Sequence, residues 1–306
     1  MIVFREYKDI DKKKWDACID RSPDACIFVY SFYLDAVCES WSALVLNDYE
    51  AVFPLVSKSK LRIHYIYQPF FTRYFGAFAK SKATEKQTEA FLNAIPGKYS
   101  YIEFCIHEGN KPQSNAFKAS ERKYQLLGLS ASYETLFKGY SDNAKRNIKK
   151  SIKAGFRIER GIEPEAIVNL FKRTKGGELD TFKAKDFKTL LILMHTLLKE
   201  KKAETLAVYT AENELCAAAF FMKNKNRFVY LKSGVSDLGK NNGAMHFLFD
   251  FFIKKYSGTD KLLDFGGSSV ESVARFYKNF GAKDCVYLQL KKNKLPRLVK
   301  WISKKA

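Results

Sequence analysis

Apolar residues in the first hundred positions recur at two different periods. In KKKWDACID and SFYLDAVCES, Trp15, Cys18 and Ile19, then Phe32, Leu34, Val37 and Cys38, fall at roughly helical spacing and predict two short helices. SALVLNDYEAVFPLV holds two apolar runs around Asn47 and Asp48, the pattern of a β-hairpin. IHYIYQPFFTRYFGAF is strongly aromatic, and Pro69 makes it a poor helix. It reads either as plain core or as an edge strand and loop lining a cleft. ATEKQTEAFLNAI predicts a helix stopped at Pro96-Gly97, KYSYIEFCIH a strand, and RKYQLLGL and SYETLFKGY two more strands.

A second unit is expected from about residue 131, giving domains of 1–130 and 131–306. DNAKRNIKKSIKAG predicts a basic helix capped by Asp142 and closed at Gly155, followed by a strand, FRIER. Two helices follow, around 163–175 and 184–200. ETLAVYTAENELCAAAFFMKNKNRFVYLKSG then has the pattern of a three-strand meander, with turns at Glu212-Asn213 and Lys225-Asn226. SDLGKNNG reads as a loop opening the apolar helix AMHFLFDFFIKKY. A short strand in KLLDFGG, a helix in ESVARFYKNFG and a last strand in CVYLQLK complete the chain. Strands and helices interleave throughout, which makes the class mixed α/β.

Length and composition fit two cored domains: 306 residues, of which 46% are hydrophobic and 28% charged, a balance that excludes an intrinsically disordered chain. The formal net charge is +20. Residues 1–110 carry 14 basic and 14 acidic side chains, so the whole excess lies beyond them, with 39 against 19. Residues 118–160 hold 11 basic and 4 acidic groups, and the final KKNKLPRLVKWISKKA holds 7 and none. The six cysteines form no C-x-x-C pair, the start lacks an apolar signal segment, and no apolar run reaches the roughly 18 residues of a membrane span. These features predict a cytoplasmic protein with free thiols. The four histidines, His64, His107, His195 and His246, stand at no metal-ligand spacing, so no metal is expected.

Two clusters could carry chemistry. GVSDLGK, residues 234–240, has the spacing of a phosphate-binding P-loop, but Asn241 stands where that motif needs a hydroxyl for the metal ion. A glycine-bearing loop running into a helix still offers backbone N–H groups to an anion. It also reads as an ordinary strand-to-helix turn. In LDFGGSSVESVARFYKNFGAK, residues 263–283, Ser268 or Ser269 can cap a helix with Glu271 in its first turn, and Tyr277 presents a phenol able to protonate a leaving group. A lone tyrosine on a helix also reads as a packing residue. No Ser/His/Asp or Cys/His set can be assembled.

These elements resemble the GNAT acyltransferase superfamily: a meander, a loop and helix, a strand, and a helix with Ala274, Tyr277 and Gly281 in the superfamily's final-helix pattern. The likeness is sharper to the tandem-GNAT, FemAB-like branch of aminoacyl and acyl transferases. LDFGGSSVESVARFYKNFGA looks like that branch's D-F-G-G and R-F-K-x-x-F-G block, SDNAKRNIKKSIKAGFRIERG like its helix-strand block, and WDACIDRSPDACIFVYSFYLDAV like its N-terminal pattern. Met245 stands where the superfamily's phosphate loop has a small residue. Tyr277 occupies the place of the branch's R-F-K lysine, with Lys278 one position on.

The resemblance implies two tandem GNAT-like domains, each a mixed, largely antiparallel sheet flanked by helices, the first degenerate and the second bearing the donor site. It implies transfer of an acyl or aminoacyl group from acyl-CoA or aminoacyl-tRNA to an amine. Tyr277 would be the acid, Asp264 or Glu271 the base, and Lys240, Asn241, Asn242, Gly243 and Lys278 the donor-binding residues. Each carboxylate also reads as a cap or salt-bridge partner. The acceptor class would be a small molecule or a cell-wall precursor. The tail, with Leu295, Leu298, Val299 and Ile302 on one helical face beside Trp301, suits either an anionic membrane's inner face or the protein's own core. A non-catalytic basic module binding anionic lipid or nucleic acid, tRNA included, is the competing reading.

Overall fold

Hydrophobic alternation and capping residues divide the first part of the chain into β1 (Ile2–Arg5), α1 (Lys12–Arg21), α2 (Ser31–Val37), β2 (Ser42–Leu46), β3 (Ala51–Leu55), β4 (Ser57–Lys60) and β5 (Ile63–Ile66). β6 (Phe78–Ala79), α3 (Glu85–Asn93), β7 (Tyr99–Ile106) and β8 (Lys118–Gly128) follow. The second part comprises α4 (Tyr133–Lys138), α5 (Asp142–Lys153), β9 (Arg157–Arg160), α6 (Pro164–Phe171) and α7 (Ala184–Lys199). β10 (Ala203–Tyr209), β11 (Leu215–Lys223), β12 (Arg227–Val235), α8 (Asp237–Asn241), α9 (Ala244–Tyr256), β13 (Leu262–Asp264), α10 (Glu271–Lys278) and β14 (Lys283–Asn293) complete it. This computed structural model describes residues 1–112, 116–176, 182–267 and 271–295. The Ser268 and Ser269 cap and the apolar face of the tail beyond Leu295 therefore lie outside the described residues.

Two compact units form among the described residues: Met1–Arg122 together with the stretch 286–295, and Lys123–Cys285. In the first unit β1, β2, β3 and β6 make one antiparallel sheet in that order. The expected hairpin is β2–β3, with Ser42 opposite Leu55. α1 buries Trp15, Cys18 and Ile19 on the sheet, and Trp15 stacks obliquely on Trp41 with centroids 4.8 Å apart. β4, β5, β7 and β14 form a second ladder, in which Leu288–Asn293 run antiparallel to Tyr101–Ile106. The aromatic segment after β5 is mostly core: Tyr74, Phe75 and Phe78 are buried, while Phe70 is exposed.

In the second unit the strand order is β8, β13, β12, β11, β10, β9, antiparallel except for the β12–β13 pair. One face packs on α5, α9 and α10 through Phe221, Phe228, Phe249, Phe252, Phe265 and Phe280. α6 and α7 bring Ile167, Leu170, Leu190, Leu193 and Met194 to full or nearly full burial. SYETLFKGY, expected as a strand, is instead the helix α4. Ser132 caps it by accepting from the Thr135 N–H, and a cap at the first turn outweighs a weak alternation of six residues. α5 is likewise capped by Ser141 rather than by Asp142, which sits in the first turn. All six cysteines are free. Among the described residues no helix is long and apolar enough to cross a membrane.

Candidate functional site

The sheet of the second unit opens along β12. This strand pairs with β13 only where Arg227–Val229 meet Leu262–Asp264, yet it runs on to Val235. From Tyr230 onward its β13 side has no strand partner among the described residues. On its other side the register with β11 slips. Phe221 faces Tyr230 and the adjacent Phe220 faces Lys232, so Leu231 is an inserted residue, a β-bulge. Side chains two apart on a regular strand share a face. The inserted residue breaks that rule, so Tyr230 and Lys232 point to opposite faces.

Tyr230 joins the α9 face, 5.8 Å from the Phe221 ring and 5.1 Å from that of Phe249. Its hydroxyl shares a hydrogen bond with Ser233, and burial pushes its pKa up to about 12. The Lys232 ammonium lies over the Phe171 and Phe182 rings, 3.7 and 4.7 Å from their centroids, on the α6 side. Desolvation lowers its pKa to about 8. Sequence reasoning missed Lys232, because a bulge leaves no mark in an apolar-polar pattern that is already irregular.

Beyond Val235 the segment expected as a loop is partly helical: residues 237–241 form α8, because Ser236 accepts from the Gly239 N–H at 3.1 Å and Asp237 lies in the first turn. Gly243 follows with φ +75°, as the N-cap of α9. A Cβ at Gly243 would stand 2.6 Å from the Asn147 carbonyl oxygen, so only glycine lets α5 cross here. Two α5 side chains hold this bend: Lys150 Nζ donates to the Asn241 carbonyl and Ser151 Oγ to that of Asn242, both at 2.6 Å. Lys240 and Asn241 are exposed, Asn242 is half-buried, and Met245 turns partly into the core. The structure thus gathers Lys240, Asn241, Asn242 and Gly243 with the basic helix α5 at the start of α9.

Tyr277 is buried, its ring stacked on Phe265 at 5.0 Å and edge-on to Tyr230 at 6.1 Å, centroid to centroid. Asp264, fully buried at the end of β13, accepts from the Gly266 N–H at 2.9 Å and ion-pairs with Arg227 at 3.3 Å. Glu271 is exposed and pairs with Arg275 one turn on, at 3.0 Å. Lys278 pairs with Asp284 at 2.6 Å, which holds the Asp284 carboxyl below its ordinary range. His246, whose Nε2 has no hydrogen-bond partner among the described residues, sits 4.8 Å from the Phe276 ring, and burial lowers its pKa to about 4. Among the described residues no group of His, Cys, Asp and Glu could hold a metal ion.

No known sequence family and no curated protein matches this chain. Solved structures do. FemX superposes with a TM-score of 0.65 at 12% identity, covering 95% of this chain and 98% of that one. L-PGS from Bacillus licheniformis gives 0.58 at 13%, covering 97% and 96%. A tandem GNAT protein from the clavulanic acid biosynthesis pathway gives 0.55 at 8%, covering 97% and 99%. The fold is therefore a tandem GNAT fold, shared with FemX and L-PGS over nearly the whole chain. At these identities the likeness is one of fold.

Proposed function

We propose that the second unit transfers an acyl or aminoacyl group from a phosphate-bearing donor to an amine. The observation that carries this reading is the opening between β12 and β13, which combines a strand edge that has no strand partner past Val229 among the described residues, a bulge on that strand and a helix N-terminus beyond its end. Acyl transfer needs donors for a developing oxyanion, an acid for the leaving group and a place for the donor's phosphates. Backbone N–H groups on the open edge of β12 would serve the first. Tyr277 would serve the second, protonating the departing thiolate or ribose oxygen. The start of α9, with Lys240, Asn241, Asn242, Gly243 and the cations of α5, would take the phosphates, with Lys278 available once released from Asp284. The neighbours' names, FemX, L-PGS and a tandem GNAT protein, support the transferase class. Acyl-CoA and aminoacyl-tRNA are the two proposed donors, and a small molecule or a cell-wall precursor is the proposed acceptor.

A second reading, a non-catalytic module binding anionic lipid or nucleic acid, is favoured by the α8 turn, where the Asn241 and Asn242 carbonyls are already engaged by α5. Thermal unfolding with coenzyme A, acetyl-CoA and tRNA at low and high salt tests both. A ligand at a hundred times its Kd stabilises the fold by about 2.7 kcal/mol. Stabilisation by the coenzymes at either salt selects the CoA donor, and salt-sensitive stabilisation by tRNA alone selects RNA. Tyr277→Phe should then slow transfer about 100-fold with donor binding intact. An unchanged rate would remove the acid role.

A further inference from the structure

We propose that Lys232 is the base of this reaction, taking the proton of the acceptor amine from the α6 side of the sheet. The proposal rests on the transferase reading above. In an unbulged β12, Lys232 would follow Tyr230 into the aromatic core under α9, where an ammonium has no partner. The inserted Leu231 turns it to the opposite face, beside the stretch of β12 that β13 leaves open. Tyr230, within ring contact of Tyr277, stays on the α9 face. A base on one face and an acid on the other therefore flank one open strand edge, the arrangement an attack through that edge requires.

The walls around Lys232 are built and apolar. The rings of Phe171 and Phe182 hold its head, and Phe187 lies within 6.1 Å of both rings, centroid to centroid. Gly234, the next residue of β12 on that face, lies so close under the end of α6 that a Cβ would stand 2.5 Å from the Phe171 nitrogen. Among the described residues, the charged groups on the packed elements are otherwise engaged or cationic. Lys172 lies over Phe187 at 4.6 Å, and Arg173 follows it. Glu165 on α6 bonds His195 of α7 at 2.7 Å, Asp186 accepts from the Lys183 N–H at 2.8 Å, and on the flanking strands Lys223 pairs with Glu204 and Arg227 with Asp264. Among the described residues no carboxylate pairs with Lys232. Its depressed pKa follows from that desolvation and leaves a usable neutral fraction near pH 7 to 8. Asp264 and Glu271, by contrast, already have cationic partners.

The neutral acceptor amine attacks the acyl carbonyl carbon, a C–N bond forms, and the carbonyl π pair moves to oxygen. The nitrogen's proton passes to neutral Lys232. On collapse the bond to the leaving sulfur or oxygen breaks, its electron pair departs with that atom, and Tyr277 supplies the proton. Lys232 then releases its proton to solvent and Tyr277 regains one.

Two measurements test this on the full chain. Trace labelling with acetic anhydride across pH 6–11, read at Lys232 by mass spectrometry against a free lysine derivative in the same tube, should show Lys232 half-reactive near pH 8, about two units below that reference. A Lys232 that titrates with the reference overturns the proposal and leaves the transferase reading standing. Transfer from acetyl-CoA and from aminoacyl-tRNA to hydroxylamine, an amine neutral above about pH 6, should rise through pH 8 in the wild type. Lys232→Met and Lys232→Arg should each lose about 100-fold and the limb near pH 8, with Tm little changed. Arginine keeps the charge and the ring contacts but cannot shed its proton. An active Lys232→Arg therefore overturns the base role, and a wild type that uses neither donor overturns the transferase reading and the proposal with it.

Discussion

His246 shows how one buried residue couples this fold to pH. Its imidazole is packed against Phe276 and Phe280, and burial holds it neutral down to about pH 4. The unfolded chain protonates this side chain below about pH 6.5. Between the two values the unfolded state binds more protons, so stability present above pH 6.5 is lost as pH falls toward 4, by up to about 3 kcal/mol. Asp16 and Asp250, whose burial raises their pKa values, act in the opposite sense. Comparing urea midpoints of the wild type and His246→Leu from pH 7 to 4 isolates the histidine, and the variant should fall less steeply. Parallel curves would mean that the imidazole is solvated. Residues of this kind also mark the limit of sequence reading. Tyr277 and Asp264 were both visible as candidate groups, yet that one is a ring in an aromatic stack and the other half of a buried ion pair depends on Phe265 and Arg227.

Among the elements, the crossing of α5 over the start of α9 depends most on one side chain being absent. Gly243 combines a left-handed φ with the 2.6 Å approach of the Asn147 carbonyl. Gly155, at the end of α5, has a similar φ of +68° but open space around it. Alanine at Gly155 should therefore cost about 1 kcal/mol, the conformational strain alone. Alanine at Gly243 should cost more than about 2 kcal/mol, because α5 must also withdraw, carrying Lys150 and Ser151 from the bend they hold. Denaturant unfolding of the two variants checks the ranking, and equal losses would show that α5 yields freely. The helix at α5 was legible from its lysines and closing glycine. Its partner was not, since nothing in DNAKRNIKKSIKAG names the residues it crosses.

For the whole molecule, the meander of β10, β11 and β12 and the helix α9 were readable because their periodicity is local, while the resemblance to the GNAT proteins rested on the motif in residues 263–283 beside them. The placement of the last strand was not. β14 pairs with β7, an antiparallel ladder between segments almost two hundred residues apart, and neither segment's alternation specifies its partner. That ladder makes the first unit depend on β14. Leu290 is buried in it, and Tyr287 packs edge-on against Tyr74 with centroids 5.7 Å apart. A chain ending at Cys285 leaves residues 101–106 of β7 without their antiparallel neighbour and uncovers Phe104 and Ile106. Lost burial and lost ladder bonds together should cost at least about 3 kcal/mol. Hydrogen exchange followed by mass spectrometry should show the β7 amides losing protection in that truncation and keeping it in a chain ending at Leu295. Protected β7 amides in the shorter chain would show that the first unit closes without β14.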